Sequence, residues 1–449
     1  MVSLNSARLW RPILIGLLLA FIVGMLARPV HAVTVQRVVS PQGIEAWLIE
    51  DHSNPILSVR FAFRGGATLD PAGKEGLARM VSALLDEGAG DLDSQAFQRK
   101  LEDLSVRLSF NTGRDTFSGR LKTLSKRRTQ AFDLLRLALT APRFEAESVE
   151  RIRSQIIAGL KQDLENPDSI ASRALMRRLF PSHPYGRPVS GTIDSIKQIT
   201  TQDMKAFVQK RLARSNVVIG VVGDIRADDL GKLLDRAFAP LPRDAAPLTA
   251  TDIAPTTDGR TTVIKKKIPQ SSIVFAQRGL KRDDPDFYRL FVLNYILGSG
   301  GFTSRLYLEV REKRGLAYSI STGLYPLDHA ALLWGSSGTA NGRAAETLKL
   351  VRAEWARLAE IGVTANELKD AKTYLTGSFP LRFTSTGRIA SILLSMQLNK
   401  LGLDYLEKRN GLIESVTLDA VNQLAKRLLD PKKLSIVVVG NPKGVKSAL

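Results

Sequence analysis

The chain has 449 residues, 44% hydrophobic and 24% charged, so it is long enough for about two to four domains and too apolar to be mostly disordered. It has no cysteine and four histidines, which excludes disulfides, thiolate-bound zinc and a cysteine nucleophile, and leaves carboxylates as the main ligands for any metal. The formal charge of +20 favours anionic surroundings but does not distinguish nucleic acid, lipid and acidic peptide.

Residues 1–32 have the pattern of a secretory signal peptide. Arg8 and Arg11 precede an apolar run over residues 13–27, and the segment ends in a small-x-small motif at Ala32. The alternative is an uncleaved membrane anchor, because the apolar run is near the length at which the two types become hard to distinguish. We therefore expect an exported, periplasmic protein whose basic surface also suits association with a membrane surface.

An internal repeat indicates a duplicated domain. The segment 59–65 recurs as 273–279, and Asp-Pro at 70–71 recurs at 284–285 with the same spacing. The segments 216–224 and 434–441 also resemble each other, so each half begins and ends alike. The pattern predicts a first domain at 33–239, a linker rich in Pro, Ala, Thr and Asp at 240–259, and a second domain at 260–449.

Both β-strands and α-helices are expected within each half. Val59, Phe61 and Phe63 alternate with polar or small residues, which is typical of a half-buried strand. An apolar stripe at four-residue spacing predicts an amphipathic helix, formed by Ile152, Ile156, Leu160 and Leu164. The fold class is therefore predicted as α+β, with two homologous domains that each pack helices on a mainly antiparallel sheet.

Several motifs carry a resemblance to a known family. In the second half these are the runs 297–306 and 309–319. In the first half they are the segments Arg64-Gly65-Gly66, Gly76-Leu77-Ala78, Glu165-Asn166-Pro167-Asp168 and His183-Pro184-Tyr185-Gly186-Arg187-Pro188. Residues 33–449 as a whole resemble the pitrilysin/insulinase family of zinc peptidases, of the mitochondrial processing peptidase type. The resemblance implies two homologous peptidase-like domains.

The zinc motif of that family is missing. Family enzymes bind zinc through an inverted His-x-x-Glu-His motif on the helix after Gly-Leu-Ala, and here Arg79, Ser82 and Ala83 occupy its positions. The third ligand, a glutamate on a later helix, is expected near Ala158 or Gly159 and is also absent. His52, His183 and His329 are widely separated and are expected to be surface or capping residues. We therefore expect no metal in this chain, and zinc only in a partner subunit.

Arg311 and Tyr318 are the predicted catalytic residues. The resemblance implies that an arginine and a tyrosine seven positions apart complete the active site. Locally, 303–313 is predicted as a helix that stops at Gly315, followed by a strand at 316–322, which would let the two side chains converge. The structural alternative is a surface ion pair for Arg311 and a core position for the Tyr318 ring.

The glycines at 298, 300 and 301 are predicted to line a peptide-binding loop. A nucleotide site is disfavoured, because the full dinucleotide fingerprint and the phosphate-loop lysine are both missing. The basic run 265–267 is expected to be a solvated edge, and no nucleic-acid-binding module accompanies it.

Two functions follow as hypotheses. In the first, the chain is the non-zinc-binding subunit of a heteromeric metallopeptidase: it binds peptide substrate and completes the active site of a homologous zinc-bearing subunit with Arg311 and Tyr318. In the second, it is a non-enzymatic peptide-binding or scaffold protein from the same family.

Overall fold

The computed structural model describes residues 34–447, and the predicted signal peptide lies outside this range. The first domain is built on a six-stranded sheet with the order β1-β2-β6-β3-β5-β4. Its strands are β1 (Gln36–Val39), β2 (Glu45–Glu50), β3 (Ile56–Arg64), β4 (Arg107–Thr112), β5 (Thr116–Leu124) and β6 (Val217–Gly223).

Eight α-helices belong to the first domain within the described part of the chain. They are α1 (Leu77–Ser82), α2 (Ser94–Asp103), α3 (Arg128–Thr140), α4 (Ala146–Glu165), α5 (Pro167–Leu179), α6 (Ile193–Gln198), α7 (Thr201–Arg211) and α8 (Ala227–Phe238). All of them except α5 contribute buried apolar side chains to a core on one face of the sheet.

The second domain has a five-stranded sheet with the order β7-β11-β8-β10-β9. Its strands are β7 (Thr261–Lys265), β8 (Gln270–Arg278), β9 (Ala317–Pro326), β10 (Ala331–Ala340) and β11 (Ser435–Gly440). Its helices are α9 (Phe287–Asn294), α10 (Ala344–Glu360), α11 (Ala365–Gly377), α12 (Thr386–Leu398), α13 (Tyr405–Glu414) and α14 (Leu418–Leu428), together with π-helical turns at Tyr295–Ser299 and Tyr307–Glu312. No helix between residues 34 and 447 has both the length and the apolar character needed to cross a membrane.

The two sheets share one topology. Apart from β1, the strand order of the first sheet matches that of the second, with β2, β6, β3, β5 and β4 corresponding to β7, β11, β8, β10 and β9. The pairs β2/β6 and β7/β11 are parallel, and every other pair is antiparallel. The internal duplication and the mainly antiparallel α+β class predicted from the sequence are confirmed.

The strand and the helix that the apolar patterns predict are both present, but the burial of one helix residue was predicted wrongly. Val59, Phe61 and Phe63 point into the core from β3, as their alternation predicts. On α4 the residues at 152, 156 and 160 are buried, but Leu164 is 48% exposed and its predicted burial is wrong. Each four-residue step advances about 40° beyond a full turn, so the fourth member of the stripe has rotated away from the core.

Each domain covers the outer face of the other domain's sheet with one helix. Helix α12 packs on β3 and β6, and α5 packs on β8 and β11. The contacts are alike in detail, since Ser58 on β3 bonds Thr386 at the start of α12, and Ser272 on β8 donates to Asp168 at the start of α5. These serines occupy equivalent positions of the repeat. The exchanged helices therefore make the folding of the two domains interdependent.

Close approach of α12 to the first sheet requires a glycine on β6. A Cβ at Gly220 would lie 2.7 Å from the carbonyl oxygen of Ala390 and 3.0 Å from the Cβ of Leu393. Nearby, the side-chain amide of Gln397 donates to the Ile219 carbonyl at 2.8 Å. The backbone of β6 is thus in direct contact with the helix.

The predicted linker, 240–259, contains no helix or strand. It is hydrogen-bonded to both domains: the amide of Thr256 donates to the carbonyl of Leu179, and that of Ile253 to the carbonyl of His329, each at 2.8 Å. These bonds hold the segment against the folded domains.

The packing of α12 on the sheet of the other domain predicts that one methyl group added to β6 lowers the stability of the fold. Gly220→Ala places a Cβ against the backbone of α12, and overpacking of this kind typically costs about 1–3 kcal/mol. Gly159→Ala is the matched control, because its Cβ meets nothing within 4 Å in the exposed interior of α4. The control is expected to raise stability by about 0.4–1 kcal/mol. Urea unfolding measures the stability of both variants. Equal stability of Gly220→Ala and the wild type would contradict the close packing of α12 on β6.

Candidate functional site

Helix α1 carries the positions where the family has its zinc motif. Its start is fixed by Asp70, which is 3% exposed and accepts hydrogen bonds from the amides of Gly76 (2.8 Å) and Ala78 (3.0 Å). Gly76 has φ +93°, and a Cβ there would lie 2.8 Å from the Ser190 carbonyl oxygen, so glycine is required. Helix α1 packs beside β4, the terminal strand of the first sheet.

The side chains on α1 are not metal ligands. Arg79 is half-buried, and the buried Ser82 hydroxyl donates to the Arg79 carbonyl at 2.9 Å. Ala83 follows as the C-cap, and Ala158 and Gly159 are exposed on α4. Between residues 34 and 447, no three His, Cys, Asp or Glu side chains form a group that could hold a metal ion. The residues present do not fit the zinc site of the family.

The three histidines of the described chain have different hydrogen-bond partners, but His183 and His329 both pack against the Tyr185 ring, with ring centres 4.6 and 6.2 Å from it. His52 lies at the surface between Asp224 (2.7 Å) and Glu50 (3.3 Å), and its hydrogen bond to Asp224 raises its pKa. His183 accepts from the amide of Tyr185 at 3.1 Å and caps a short 3₁₀ turn, while burial lowers its pKa. His329 lies 3.2 Å from Asp252. His52 is therefore a surface residue and His183 a capping residue, as expected, whereas His329 is half-buried with its ring centre 6.4 Å from that of His183.

Arg311 and Tyr318 lie close together in the second domain. The guanidinium carbon of Arg311 is 5.3 Å from the centre of the Tyr318 ring, on the opposite side of a turn. The turn is made by Gly315, whose φ of +58° ends the helix as predicted, and its amide donates to the Arg311 carbonyl at 2.8 Å. The strand β9 then begins at Ala317 and continues to Pro326, further than the predicted end at 322.

The helix before the turn differs from the predicted α-helix at 303–313. A 3₁₀ turn at Gly301–Thr303 is followed by extended backbone at Ser304, and the π-helical turn covers Tyr307–Glu312. The amide of Lys313 donates to the carbonyl five residues earlier, at Leu308 (3.0 Å). Such turns are frequent at functional sites. A hydrophobic period alone does not distinguish them from α-helix.

The surroundings of the pair differ from the structural alternative. Tyr318 is 81% exposed and is therefore not a core aromatic. Glu309 is bonded by both Lys313 and Arg314 at 2.6 Å, and these bonds lower the pKa of Glu309. Arg311 forms no ion pair with any residue between 34 and 447, so its five N–H donors have no carboxylate partner there.

Two further aromatic residues, which were not predicted from the sequence, extend this site: Tyr307 lies beside Arg311, and Phe302 lies beside Tyr307. The Tyr307 ring centre is 4.9 Å from the guanidinium carbon of Arg311, and Phe302, which is 72% exposed, packs edge-on to Tyr307 with ring centres 5.0 Å apart. We call Phe302, Tyr307, Arg311 and Tyr318 the aromatic–arginine cluster. The i, i+4 spacing of Tyr307 and Arg311 on a helix was the signal that could have found the contact.

The three glycines of the predicted loop have different surroundings. Gly298 is buried, and a Cβ there would lie 2.5 Å from the Thr322 hydroxyl oxygen. At Gly300 it would lie 2.7 Å from the Tyr295 carbonyl oxygen. Gly301 has φ +60° and open space around it. Packing thus explains Gly298 and Gly300, while Gly301 is exposed beside the aromatic–arginine cluster.

The fold and site define a two-domain chain of the insulinase type in which the metal-binding positions carry no ligands. Residues 46–193 match the family model described as insulinase (peptidase family M16), and residues 198–375 match the peptidase M16 inactive domain. The chain belongs to peptidase family M16, as the sequence resemblance predicts.

Individual relatives agree with this assignment. The crystal structure of a peptidase M16 inactive domain from Pseudomonas fluorescens has a TM-score of 0.86 and 32% identity, covering 92% of this chain and 99% of that chain. The non-peptidase homolog YmxG of Helicobacter pylori is 28% identical over 398 residues, covering 88% of this chain and 91% of that protein. An uncharacterized zinc protease of Streptomyces coelicolor is 28% identical over 324 residues, covering 69% of this chain and 68% of that protein. The similarity therefore extends both to a protein named as a non-peptidase and to one named as a protease.

The composition of α1 predicts that zinc binding cannot be restored at that helix alone. The triple variant Arg79→His/Ser82→Glu/Ala83→His supplies the motif but lacks the third ligand, so neither it nor the wild type is expected to retain stoichiometric zinc. Metal analysis after gel filtration is the measurement. One tightly held zinc per wild-type chain would contradict the interpretation.

The burial of Asp70 predicts an effect of pH on stability. Burial raises its pKa from 3.8 to about 7, although the two amide bonds and Arg187 act to lower it. Between these values the folded state keeps a proton that the unfolded state has lost, so this contribution to stability falls as the pH rises. Asp70→Asn cannot ionise and lacks this dependence.

Urea unfolding of both proteins from about pH 4 to pH 8 is the test. The stability advantage of the wild type over Asp70→Asn is expected to shrink as the pH rises. An advantage that grows instead would mean that the two amides hold Asp70 as a carboxylate.

Proposed function

We propose that this chain is the non-zinc-binding subunit of a heteromeric metallopeptidase, in which it binds peptide and completes the active site of a homologous zinc-bearing subunit. The observation that carries the proposal is the Arg311/Tyr318 pair. Tyr318 is 81% exposed and Arg311 beside it is half-buried, and neither has a carboxylate partner between residues 34 and 447. The zinc-motif positions of the same chain carry no metal ligand.

The chemistry of the pair fits the stabilisation of a developing oxyanion. Arginine and tyrosine both donate hydrogen bonds, and donors held in place before reaction stabilise the charge that forms on a scissile carbonyl oxygen. The guanidinium carbon of Arg311 also lies 4.9 Å from the centre of the Tyr307 ring, a second cation–π contact that helps to hold the side chain in place. The partner would supply zinc, and Arg311 and Tyr318 would orient the carbonyl.

Peptide binding would use the sheet edge and the glycine loop. Strand β4 ends the first sheet, so one of its edges offers unpaired backbone groups to an extended peptide. Gly301 is exposed next to the aromatic–arginine cluster, where a substrate backbone could approach closely.

The partner and the compartment are part of the proposal. A family member without zinc ligands needs a zinc-bearing homologue for catalysis, and the similarity to an M16 inactive domain supports such a pairing. The pattern of residues 1–32 supports a periplasmic location, with an uncleaved anchor as the alternative. The charge of +20 supports contact with an anionic membrane surface.

The second candidate is a non-enzymatic peptide-binding or scaffold protein. The similarity to a protein named as a non-peptidase homolog favours it. The Arg311/Tyr318 pair favours the catalytic subunit, because a scaffold has no need of two converging hydrogen-bond donors without a carboxylate partner in the described chain.

The kinetics of the complex test the catalytic role. Arg311→Ala or Tyr318→Phe in the reconstituted complex should reduce turnover by about 10²–10³-fold, the typical effect of losing one oxyanion donor. Zinc content and partner affinity should stay near those of the wild type. Arg311→Lys should recover little activity, because a single ammonium lacks the planar fork.

The control must remove a charge without disturbing the fold. Arg305 is unsuitable because it is buried in a bidentate ion pair with Glu367 at 2.6 and 2.8 Å. Lys313→Ala is suitable, since Lys313 is exposed and Glu309 keeps Arg314 as its partner. If Arg311→Ala keeps the turnover of Lys313→Ala in an intact complex, the catalytic role is wrong. If Arg311→Ala dissociates, its role is structural.

A further inference from the structure

Four basic side chains face one another on the outer face of the first sheet. Arg60 on β3 lies directly opposite Arg120 on β5, and Arg107 on β4 lies directly opposite Lys122 on β5. Residues two apart on a strand share a face, and directly opposed residues point the same way. The four side chains therefore form a staggered array across the three neighbouring strands β3, β5 and β4, which we call the basic floor.

The four cations of the basic floor form no ion pair in the described chain. Like charges directly opposite each other destabilise a sheet, and burial together with the charge of Arg120 lowers the pKa of Arg60. The Arg120 Nε donates to the Ser109 hydroxyl (2.6 Å) and the Arg60 Nε to the Gly387 carbonyl (3.4 Å), both neutral acceptors. No carboxylate between residues 34 and 447 forms an ion pair with any of the four.

The internal duplication supplies a control for the fold. The positions of the second sheet that are equivalent by register to Arg60, Arg120, Lys122 and Arg107 are occupied by Val274, Ser336, Gly338 and Ser319. None of these is charged, although the strand order and pairing are the same. The fold does not require cations at these positions, so the basic floor needs another explanation.

The basic floor lines a cavity of about 830 Å³. Helix α12 forms one wall and adds Arg388, while α2 contributes Glu102, the single acidic residue of the lining. Leu101 and Leu108 also line the cavity, so it extends around the edge of β4. A concave site of this size fits a short chain segment and does not fit a flat membrane surface.

An extended peptide paired with the free edge of β4 would reach this array. Its side chains would alternate between the two faces of the sheet. On the cavity face, one residue would lie opposite Arg107 and the next but one opposite Ser109, which is bonded to Arg120. Carboxylates at these two positions would meet the uncompensated charge.

We propose that the basic floor selects peptide segments with acidic side chains at alternate positions, bound as an added strand on β4. The proposal deepens the proposed function and rests on its peptide binding. Arginine pairs carboxylates through two parallel hydrogen bonds, which gives the selection both charge and direction.

Fluorescence anisotropy with labelled peptides tests the selection on the purified chain at low salt. Three nine-residue peptides share one Thr/Val background and differ in two residues: Glu at alternate positions, Glu at adjacent positions, or Gln at the alternate positions. The alternating Glu peptide is expected to bind about tenfold more tightly than the Gln peptide, with the adjacent Glu peptide between them. Tripolyphosphate serves as a competitor of the same charge type.

The variant Arg120→Ser/Lys122→Ser replaces two cations of the basic floor with small polar residues, so that these positions are uncharged like their equivalents in the second sheet. It is expected to lose the preference for Glu over Gln while its melting temperature stays equal or rises, because like-charge repulsion is removed. Lys161→Ser/Lys349→Ser is the control, since it removes two exposed charges elsewhere and should keep the preference.

The outcomes separate the two proposals. Equal binding of the Glu and Gln peptides overturns the acidic selection and leaves the proposed peptide binding intact. Failure of all three peptides to bind overturns both. Retention of the preference in Arg120→Ser/Lys122→Ser, or its loss in the control pair, overturns the role of the basic floor. Tripolyphosphate could also bind more tightly than any of the peptides and lose that binding in Arg120→Ser/Lys122→Ser. That result would overturn the assignment of a peptide as the ligand.

Discussion

The exchange of one helix between the domains is the constraint on which the rest of this structure depends. A sheet with apolar residues on one face only can leave the other face to solvent, but β6 and β8 are buried on both faces. Helices α12 and α5 cover those inner strands, each from the opposite domain. Because α12 covers β3 and β6 and stops there, the outer face of β5 and β4 stays open and forms the cavity.

Within this frame, the two domains have diverged in their chemistry. The first domain keeps the helix of the family's zinc motif without its ligands, and its open sheet face carries four cations. The second domain has uncharged residues at the four equivalent positions, and it carries the aromatic–arginine cluster at the start of its own edge strand. A chain that had kept only a scaffold role would need neither the Arg311/Tyr318 pair nor an array of cations that forms no ion pair in the described chain and destabilises its sheet.

Much of the fold could be predicted from local patterns and from the repeat. Alternation placed Val59 and Phe63 in the core, and the recurrence of segment 59–65 indicated the duplication. Gly315 predicted the turn that joins Arg311 to Tyr318. These features depend on a few neighbouring residues, which is why a single sequence reveals them.

The remaining features depend on tertiary register and could not be predicted in this way. Arg60 and Arg120 meet only because β3 pairs with β5 across two intervening helices and a strand, and no short-range pattern gives that pairing. The role of Gly220 depends on a helix from the other domain. The burial of Leu164 was wrong because a four-residue period drifts off one helix face, and the π-helical turn at 307–312 has no distinct apolar period.

The central claim is that this chain and a zinc-bearing homologue form one catalytic unit, and a titration of activity tests it most directly. A homologue that carries the His-x-x-Glu-His motif is held at constant concentration, this chain is added stepwise, and hydrolysis of a fluorogenic peptide mixture is followed. The account predicts no hydrolysis by either chain alone and a rate that rises and saturates at a fixed stoichiometric ratio. Full activity of the homologue alone, unchanged by added chain, would contradict the account.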